Sequence, residues 1–281
     1  MSLNPIFKSE TLRRNIYDWA LALGLFVYFF LVAEHAKPFN RQFSLSDPTI
    51  QHPFADNERV SGIECLLLAS VIPLTIIGVC SSYLKAKHQK SQAEHFHLLQ
   101  ITILGLLLAL SIDGVITDIF KNWIARPRPD FLARCGPKKG TPLNTLVGIE
   151  VCTAPLGERL LIDGMRSTPS GHASISFSGL LYVTLWLCGQ FKVVQVKAPV
   201  YKLLLCILPV LCAFYISLSR TQDYRHHFSD IVLGGSLGSV IAVGIYHKFF
   251  PRIFSNNSDK PLLSEEIETV LPVYNSVSQS S

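Results

Sequence analysis

Charge is scarce in this sequence: 16% of its 281 residues are Asp, Glu, Lys or Arg, against roughly a quarter in an ordinary soluble domain. Other absences narrow the field further. There is no internal repeat, no second domain and no long polar module. The seven cysteines have no spacing that suits a zinc site, and no cluster of carboxylates suits a paired metal site. What the chain has instead is apolar residues, 49% of the total, and they come in blocks rather than at the periodicity of a soluble core.

A helix that crosses about 30 Å of hydrocarbon needs roughly 20 apolar residues. Six blocks qualify: Ile16–Ala33, Ile63–Tyr83, Leu98–Phe120, Ala173–Phe191, Val200–Leu218 and Ile231–Phe250. Unpaired backbone amides are intolerable in lipid, so each block is expected to be a helix. The expected architecture is all-α, an integral membrane six-helix bundle over residues 16–250. It is preceded by a short cytosolic N-terminus, 1–15, and followed by a polar, Ser-rich tail, 251–281, too poor in apolar residues for a core and expected to be disordered. The first block follows Lys8, Arg13 and Arg14 like a signal peptide. Its length and its aromatic ends (Tyr17, Trp19, Tyr28, Phe29, Phe30) read as a retained span.

Six spans put both termini on one side. Twelve basic residues fall on that side and thirteen on the other, eight of the thirteen in one long connection, residues 121–170. Long loops bias topology weakly, so that connection is discounted and the termini are expected in the cytosol. The net charge of +5 then needs no nucleic-acid partner. Cys65, Cys80, Cys188, Cys206 and Cys212 fall in or at spans, where a small apolar role is the default. Cys135 and Cys152 share the long outer loop and can form a disulfide if it faces an oxidising lumen.

Span counting also gathers the charge. Lys121, Arg126 and Arg128 leave the third span, Ser170-Gly171-His172 precedes the fourth, and "SRTQDYRHHFSD" (219–230) joins the fifth to the sixth. All three clusters therefore belong to one layer at one membrane interface. Lys121, Arg128 and Arg220 offer fixed positive charge suited to an oxyanion such as phosphate. Ser170-Gly171 opens a helix, where free amides attract anions. His172 and His226 titrate near neutral pH, so one can attack while the other donates a proton. Asp230, four residues after His226, is expected on the same helical face, holding one ring nitrogen protonated and aiming the other.

Lys121-x6-Arg128-Pro129, Pro169-Ser170-Gly171-His172 and Ser219-Arg220-x5-His226-x3-Asp230 together resemble the three-part signature of the type 2 phosphatidic acid phosphatase superfamily, shared with vanadium haloperoxidase-like acid phosphatases. The resemblance covers roughly residues 15–250. It implies a six-span bundle with an extracytoplasmic, metal-independent active site that needs no cofactor. It assigns His226 as the nucleophile that forms a phosphohistidine, Asp230 as its orienting partner and His172 as the acid that protonates the leaving oxygen. Lys121, Arg128, Ser170, the amide of Gly171 and Arg220 then hold the non-bridging oxygens. The interval points to His226 rather than His227, and makes Arg126-Pro127 a decoy for Arg128-Pro129.

"KPFNRQFSLSDPTIQHPF" (37–54), "RPRPDFLARC" (126–135) and the 219–230 stretch resemble the lipid phosphate phosphatase branch of fungi and plants, above all its fungal diacylglycerol pyrophosphate phosphatases. The implied reactions convert diacylglycerol pyrophosphate to phosphatidate, and phosphatidate or lysophosphatidate to neutral lipid, with the acyl chains left in the bilayer. Alternatives on the same scaffold act on a polyprenyl diphosphate, a sphingoid base phosphate or a sugar phosphate. A vanadate-dependent peroxidase fits poorly with six spans. A transporter or a catalytically dead partner protein would tolerate loss of His172 or His226, and both are present.

Other residues have quieter readings. Asp118 lies three before Lys121, within reach of it, and Asp113 is deeper in the span with a structural role expected. His88, His95 and His97, among lysines, read as a solvated basic connection rather than a metal site. "DKPLL" (259–263) and "YNSV" (274–277) are similar to short sorting signals, which favours an endomembrane (vacuole, Golgi or endoplasmic reticulum) over the plasma membrane.

Overall fold

The computed structural model describes residues 15–195 and 198–262. In chain order its helices are α1 (Ile16–Tyr28, continued by a wider π turn, Phe29–Ala33), α2 (Gly62–His88), α3 (Gln92–Ile124), α4 (Phe131–Cys135), α5 (Glu158–Asp163), α6 (Gly171–Phe191), α7 (Val200–Gln222) and α8 (Phe228–Phe249). Six of them, all but α4 and α5, are long and apolar enough to cross a membrane. The chain is a multi-pass integral membrane protein. Lys8, Arg13, Arg14, Lys197 and the "YNSV" segment lie outside the described residues.

Several helices run past the apolar blocks that mark them in the sequence. Hydropathy senses only the part inside hydrocarbon, whereas capping chemistry sets the helix end. α2 and α3 both start with a Ser-x-x-Glu box. Glu64 accepts from the Ser61 amide at 2.7 Å and Glu94 from the Ser91 amide at 2.7 Å, while each serine hydroxyl accepts from the glutamate's amide. At its far end α3 continues to Ile124 and stops where Ala125 turns left-handed (φ 47°). Lys121 is thus in the last turn of a helix, and the long outer connection begins four residues later than the sequence suggested.

α6 is the axis of the bundle. In its apolar window 83% of residues are buried inside the protein, against 11% in α1, and it packs on α2, α3, α7 and α8. Small residues make that contact possible. A Cβ at Gly234 of α8 would run into the Ser170 carbonyl, and one at Gly238 into the Ser174 carbonyl, so the two glycines let backbones approach as only a bare α-carbon allows. α1 and α2 both pack against α3, and residues of all three line a gap between them.

The outer segments fold over one end of the bundle. A short antiparallel ribbon pairs β1 (Phe43–Ser44) with β2 (Leu146–Val147), joining the α1–α2 connection to the α3–α6 connection. Phe43, Leu45, Ile50, Phe131, Leu161 and Met165 make a separate small apolar core there, and a disulfide links Cys135 to Cys152. At the opposite end the chain departs from expectation. Residues 251–262 were expected to begin a disordered tail, yet they fold back on the end of α6. Ser258 donates to the Gly189 carbonyl at 2.9 Å, Gln190 donates to the Asp259 carbonyl at 3.0 Å, and Lys192 pairs with Asp259 at 2.8 Å. Orphan groups of the α6 terminus are satisfied this way, a need that composition does not reveal.

Replacing Gly234 or Gly238 by Leu is expected to cost at least about 1–3 kcal/mol through backbone overlap, read as a lower unfolding midpoint in detergent. Gly244→Leu, where a Cβ meets nothing within 4 Å, should leave that midpoint nearly unchanged.

Candidate active site

A cavity of about 1030 Å³ opens where α1, α2, α3 and α6 meet beneath the folded outer segments. Its lining is mixed: apolar Phe29, Phe30, Ile63, Leu66 and Ile175 share it with Lys121, Arg128, Arg166, His172 and His226 and with acidic Glu34, Glu58, Asp118 and Asp163. Of the eight residues singled out from the sequence, Lys121, Arg128, Gly171, His172 and His226 face this cavity. Ser170, Arg220 and Asp230 do not; all three are fully buried behind its wall.

His226 is 3% exposed. Its Nδ1 stands 2.7 Å from the Ser167 carbonyl oxygen, and a carbonyl only accepts, so Nδ1 carries the proton and Nε2 keeps its lone pair. Burial, then the positive charge of Arg128, hold this ring well below the usual imidazole value of 6.5, so it is neutral at neutral pH.

Asp230 does not touch the His226 ring, contrary to the four-residue argument. His227 caps α8, which starts only at Phe228, so His226 precedes the helix and shares no helical face with Asp230. The carboxylate instead accepts from Ser167 Oγ at 2.6 Å, Thr168 Oγ1, Arg126 Nη1 at 2.8 Å and the His227 amide at 3.0 Å. Its own backbone carbonyl accepts from the Ser170 amide at 2.9 Å. Asp230 therefore fixes Ser167, whose carbonyl in turn fixes His226. Arg126, the decoy of the sequence pattern, is one of the struts. His227 places its Nε2 3.1 Å from the Pro127 carbonyl oxygen and is not among the cavity residues.

His172 is held through Nε2, 3.1 Å from the Val60 carbonyl oxygen, which puts the proton of the neutral ring on Nε2 and leaves Nδ1 available. Lys121 Nζ donates to Asp118 Oδ1 at 3.2 Å, the pairing their spacing suggested. A Cβ on Gly171 would meet Lys121 Nζ at 2.8 Å, so the lysine lies close over the start of α6. Ser170 Oγ caps that helix, accepting from the Ala173 amide at 3.4 Å, and the residue is fully buried outside the cavity lining.

The two motif arginines are members of one chain of ion pairs. Arg128 pairs with Asp163 at 2.8 Å, Asp163 with Arg134 at 2.8 Å, Arg134 with Asp130 at 2.9 Å and Asp130 with Arg225 at 3.2 Å. Arg225 continues to Glu58 at 2.9 Å, Glu58 to Arg220 at 2.7 Å, Arg220 to Asp223 at 2.6 Å and Asp223 to Arg59 at 3.0 Å. Phe54 lies beneath the Arg134 and Arg225 guanidiniums. Burial by itself would raise the Asp163 carboxyl, but Arg128 and Arg134 pull it down to about 2. Arg220 gives all three guanidinium nitrogens to Ser219, Glu58 and Asp223 and so serves as an anchor behind the cavity, not as a hand inside it.

Sequence reasoning missed Glu58, Asp130, Arg134, Asp163, Arg166, Ser167, Asp223 and Arg225. The only available signal was density: paired signs crowd into "RPRPDFLARC" and "DYRHH", and buried charges are rarely left single. Among the described residues no three His, Cys, Asp or Glu side chains are grouped to hold a metal ion.

The PAP2 superfamily profile matches residues 102–254. "Diacylglycerol pyrophosphate phosphatase 1" of Saccharomyces cerevisiae is 43% identical over 238 residues, 84% of this chain and 80% of that protein. "Probable diacylglycerol pyrophosphate phosphatase 1" of Schizosaccharomyces pombe is 36% identical over 271 residues, 95% of this chain and 92% of the relative. "Lipid phosphate phosphatase 2" of Arabidopsis thaliana is 34% identical over 242 residues, covering 85% and 78%. No solved structure matches.

Because its pKa is depressed, His226 takes up a proton only as pH falls well below 6.5. Nitrogen NMR of the labelled imidazole at pH 6.5 should report a neutral ring protonated at Nδ1. An imidazolium at that pH, or a neutral ring protonated at Nε2, would contradict the geometry.

Proposed function

The chain belongs to the PAP2 superfamily, and on that premise we propose that it is a lipid phosphatase. It removes the terminal phosphate of diacylglycerol pyrophosphate to leave phosphatidate, and dephosphorylates phosphatidate or lysophosphatidate to the neutral lipid. The names of its relatives support the class of substrate. The observation that carries the reading is the cavity itself, whose lining combines aromatic and aliphatic side chains with cations and two tethered imidazoles. Such a space suits a molecule that is hydrocarbon at one end and phosphate at the other. The gap between α1 and α2 suits acyl chains that never leave the bilayer.

The chemistry is an in-line transfer in two steps. The Nε2 lone pair of His226 attacks the terminal phosphorus as the bond to the leaving oxygen breaks, and that oxygen takes a proton from His172. For this step His172 enters as the imidazolium: with Nε2–H tied to the Val60 carbonyl, it gives up the second proton, on Nδ1, and becomes the neutral ring. Water then attacks the phosphohistidine, His172 takes the water's proton, and the phosphorus–nitrogen bond breaks to return the lone pair to His226. Lys121, Arg128 and the amide of Gly171 stabilise the charge on the non-bridging oxygens. Because their partners already fix them, little reorganisation is needed at the moment of transfer. Arg220, Ser170 and Asp230 act by holding these groups in place.

The α3–α6 connection that carries the disulfide also brings Arg128, Asp163 and Arg166 to the cavity, which supports an extracytoplasmic or lumenal site with cytosolic termini. An endomembrane remains the expected residence.

The test is phosphate release from diacylglycerol pyrophosphate in detergent micelles with a chelator present, followed by rapid-quench trapping of phosphoenzyme. His226→Ala should abolish the phosphoenzyme, lowering turnover by about 10³-fold or more, while His227→Ala should retain it. Full phosphoenzyme in the His226 variant would overturn the assignment.

A further inference from the structure

Arg166 lies outside every motif, and its situation differs from that of the other arginines around the site. Its side chain is 8% exposed, and it lines the cavity beside Lys121, Arg128 and His226. Nη1 donates to the Glu34 carbonyl at 3.0 Å, and Nη2 stands 3.3 Å from Asp118 Oδ1. Among the described residues, Nε and Nη2 make no hydrogen bond. A buried guanidinium with unmet donors is costly unless something else meets them. Arg128, by contrast, has both Nε and Nη2 on Asp163, and Arg220 has all three nitrogens engaged.

Its position along the cavity is equally specific. Glu34, one anchor, follows the end of α1 directly, where Phe29 and Phe30 line the cavity. Asp118, the other anchor, sits less than one turn before Lys121 on α3 and shares the same oxygen between Lys121 and Arg166. Arg166 thus stands between Phe29 and Phe30 and the cations around His226. Asp118 is shared between the two cations, and the second carboxylate, Glu34, is 4.0 Å from Nη2 and half exposed, so it holds Arg166 only loosely.

We infer that Arg166 binds the inner, unattacked phosphate of a diphosphate-bearing lipid and sets the preference for a diphosphate over a phosphate monoester. The inference rests on the phosphatase reading above and adds to it the site of the second phosphate. A lipid with its tails against Phe29 and Phe30 and its terminal phosphorus at His226 must carry its inner phosphate across the region between them. A guanidinium fork there grips that phosphate bidentately. A monoester has only the phosphate at His226 and gains less from Arg166.

Steady-state kinetics of the purified full-length protein in mixed micelles test this. Arg166→Gln should lower kcat/KM for diacylglycerol pyrophosphate about tenfold more than for phosphatidate, the value of one charge-assisted hydrogen bond, chiefly through KM, and Arg166→Lys should recover part of the difference. Wild-type protein should also be inhibited more strongly by imidodiphosphate than by inorganic phosphate, with that difference reduced in Arg166→Lys. Equal losses on both substrates, or an inhibitor ratio unchanged in Arg166→Lys, would overturn the inference. A wild-type protein inactive on both lipids would instead overturn the phosphatase reading itself.

Discussion

One buried carboxylate ties the catalytic layer together. Asp230 is 0% exposed and accepts from Arg126, Ser167, Thr168 and the His227 amide, while its carbonyl receives the Ser170 amide. These partners come from the exit of α3, the approach to α6 and the start of α8. Three stretches far apart in sequence are therefore held on a single group, and each carries a residue of the proposed chemistry: Arg128 beside Arg126, His172 beside Ser170, His226 beside His227. An ionised carboxylate in so dry a place is tolerable only because it is paired and fully hydrogen-bonded. The glycines at 234 and 238 bring α8 close enough to α6 for Asp230 to reach that far.

Around that knot the ion-pair chain from Arg128 to Arg59 performs a second task. Cations that meet a phosphate must be present before it arrives, yet they repel one another in the empty site. Asp163, Asp130, Glu58 and Asp223 alternate with the arginines, so each positive charge is balanced by its neighbours. The pairs also bind the outer segments to the bundle, because their members come from the α1–α2, α3–α6 and α7–α8 connections. The folded cap and the layer of candidate site residues are one electrostatic unit.

The spans were legible because lipid imposes a length and composition that no local rule competes with. Parity of the spans was enough to bring Lys121, Arg128, His172 and His226 to one layer, and the spacing of Asp118 to Lys121 was enough to pair them. The His226–Asp230 contact failed for a definite reason: helical spacing was applied to a residue two positions before the helix starts. The ion-pair chain was illegible because its partners are far apart in sequence, Arg220 and Glu58 by 162 residues and Arg225 and Asp130 by 95, and no periodicity records such pairings. Residues 251–262 were misread because polar composition was taken for disorder, when those residues satisfy the end of α6.

The most direct test of the knot is hydrogen exchange on full-length Asp230→Ala protein in detergent, followed at single amides. Loss of the carboxylate should speed exchange at the His227 amide, which it holds directly, and also at the Ser167 amide, which donates to the Arg126 carbonyl and never touches Asp230. If only the His227 amide quickens while Ser167 and Arg128 keep their wild-type protection, the three segments are held by something else and Asp230 is no more than a helix cap.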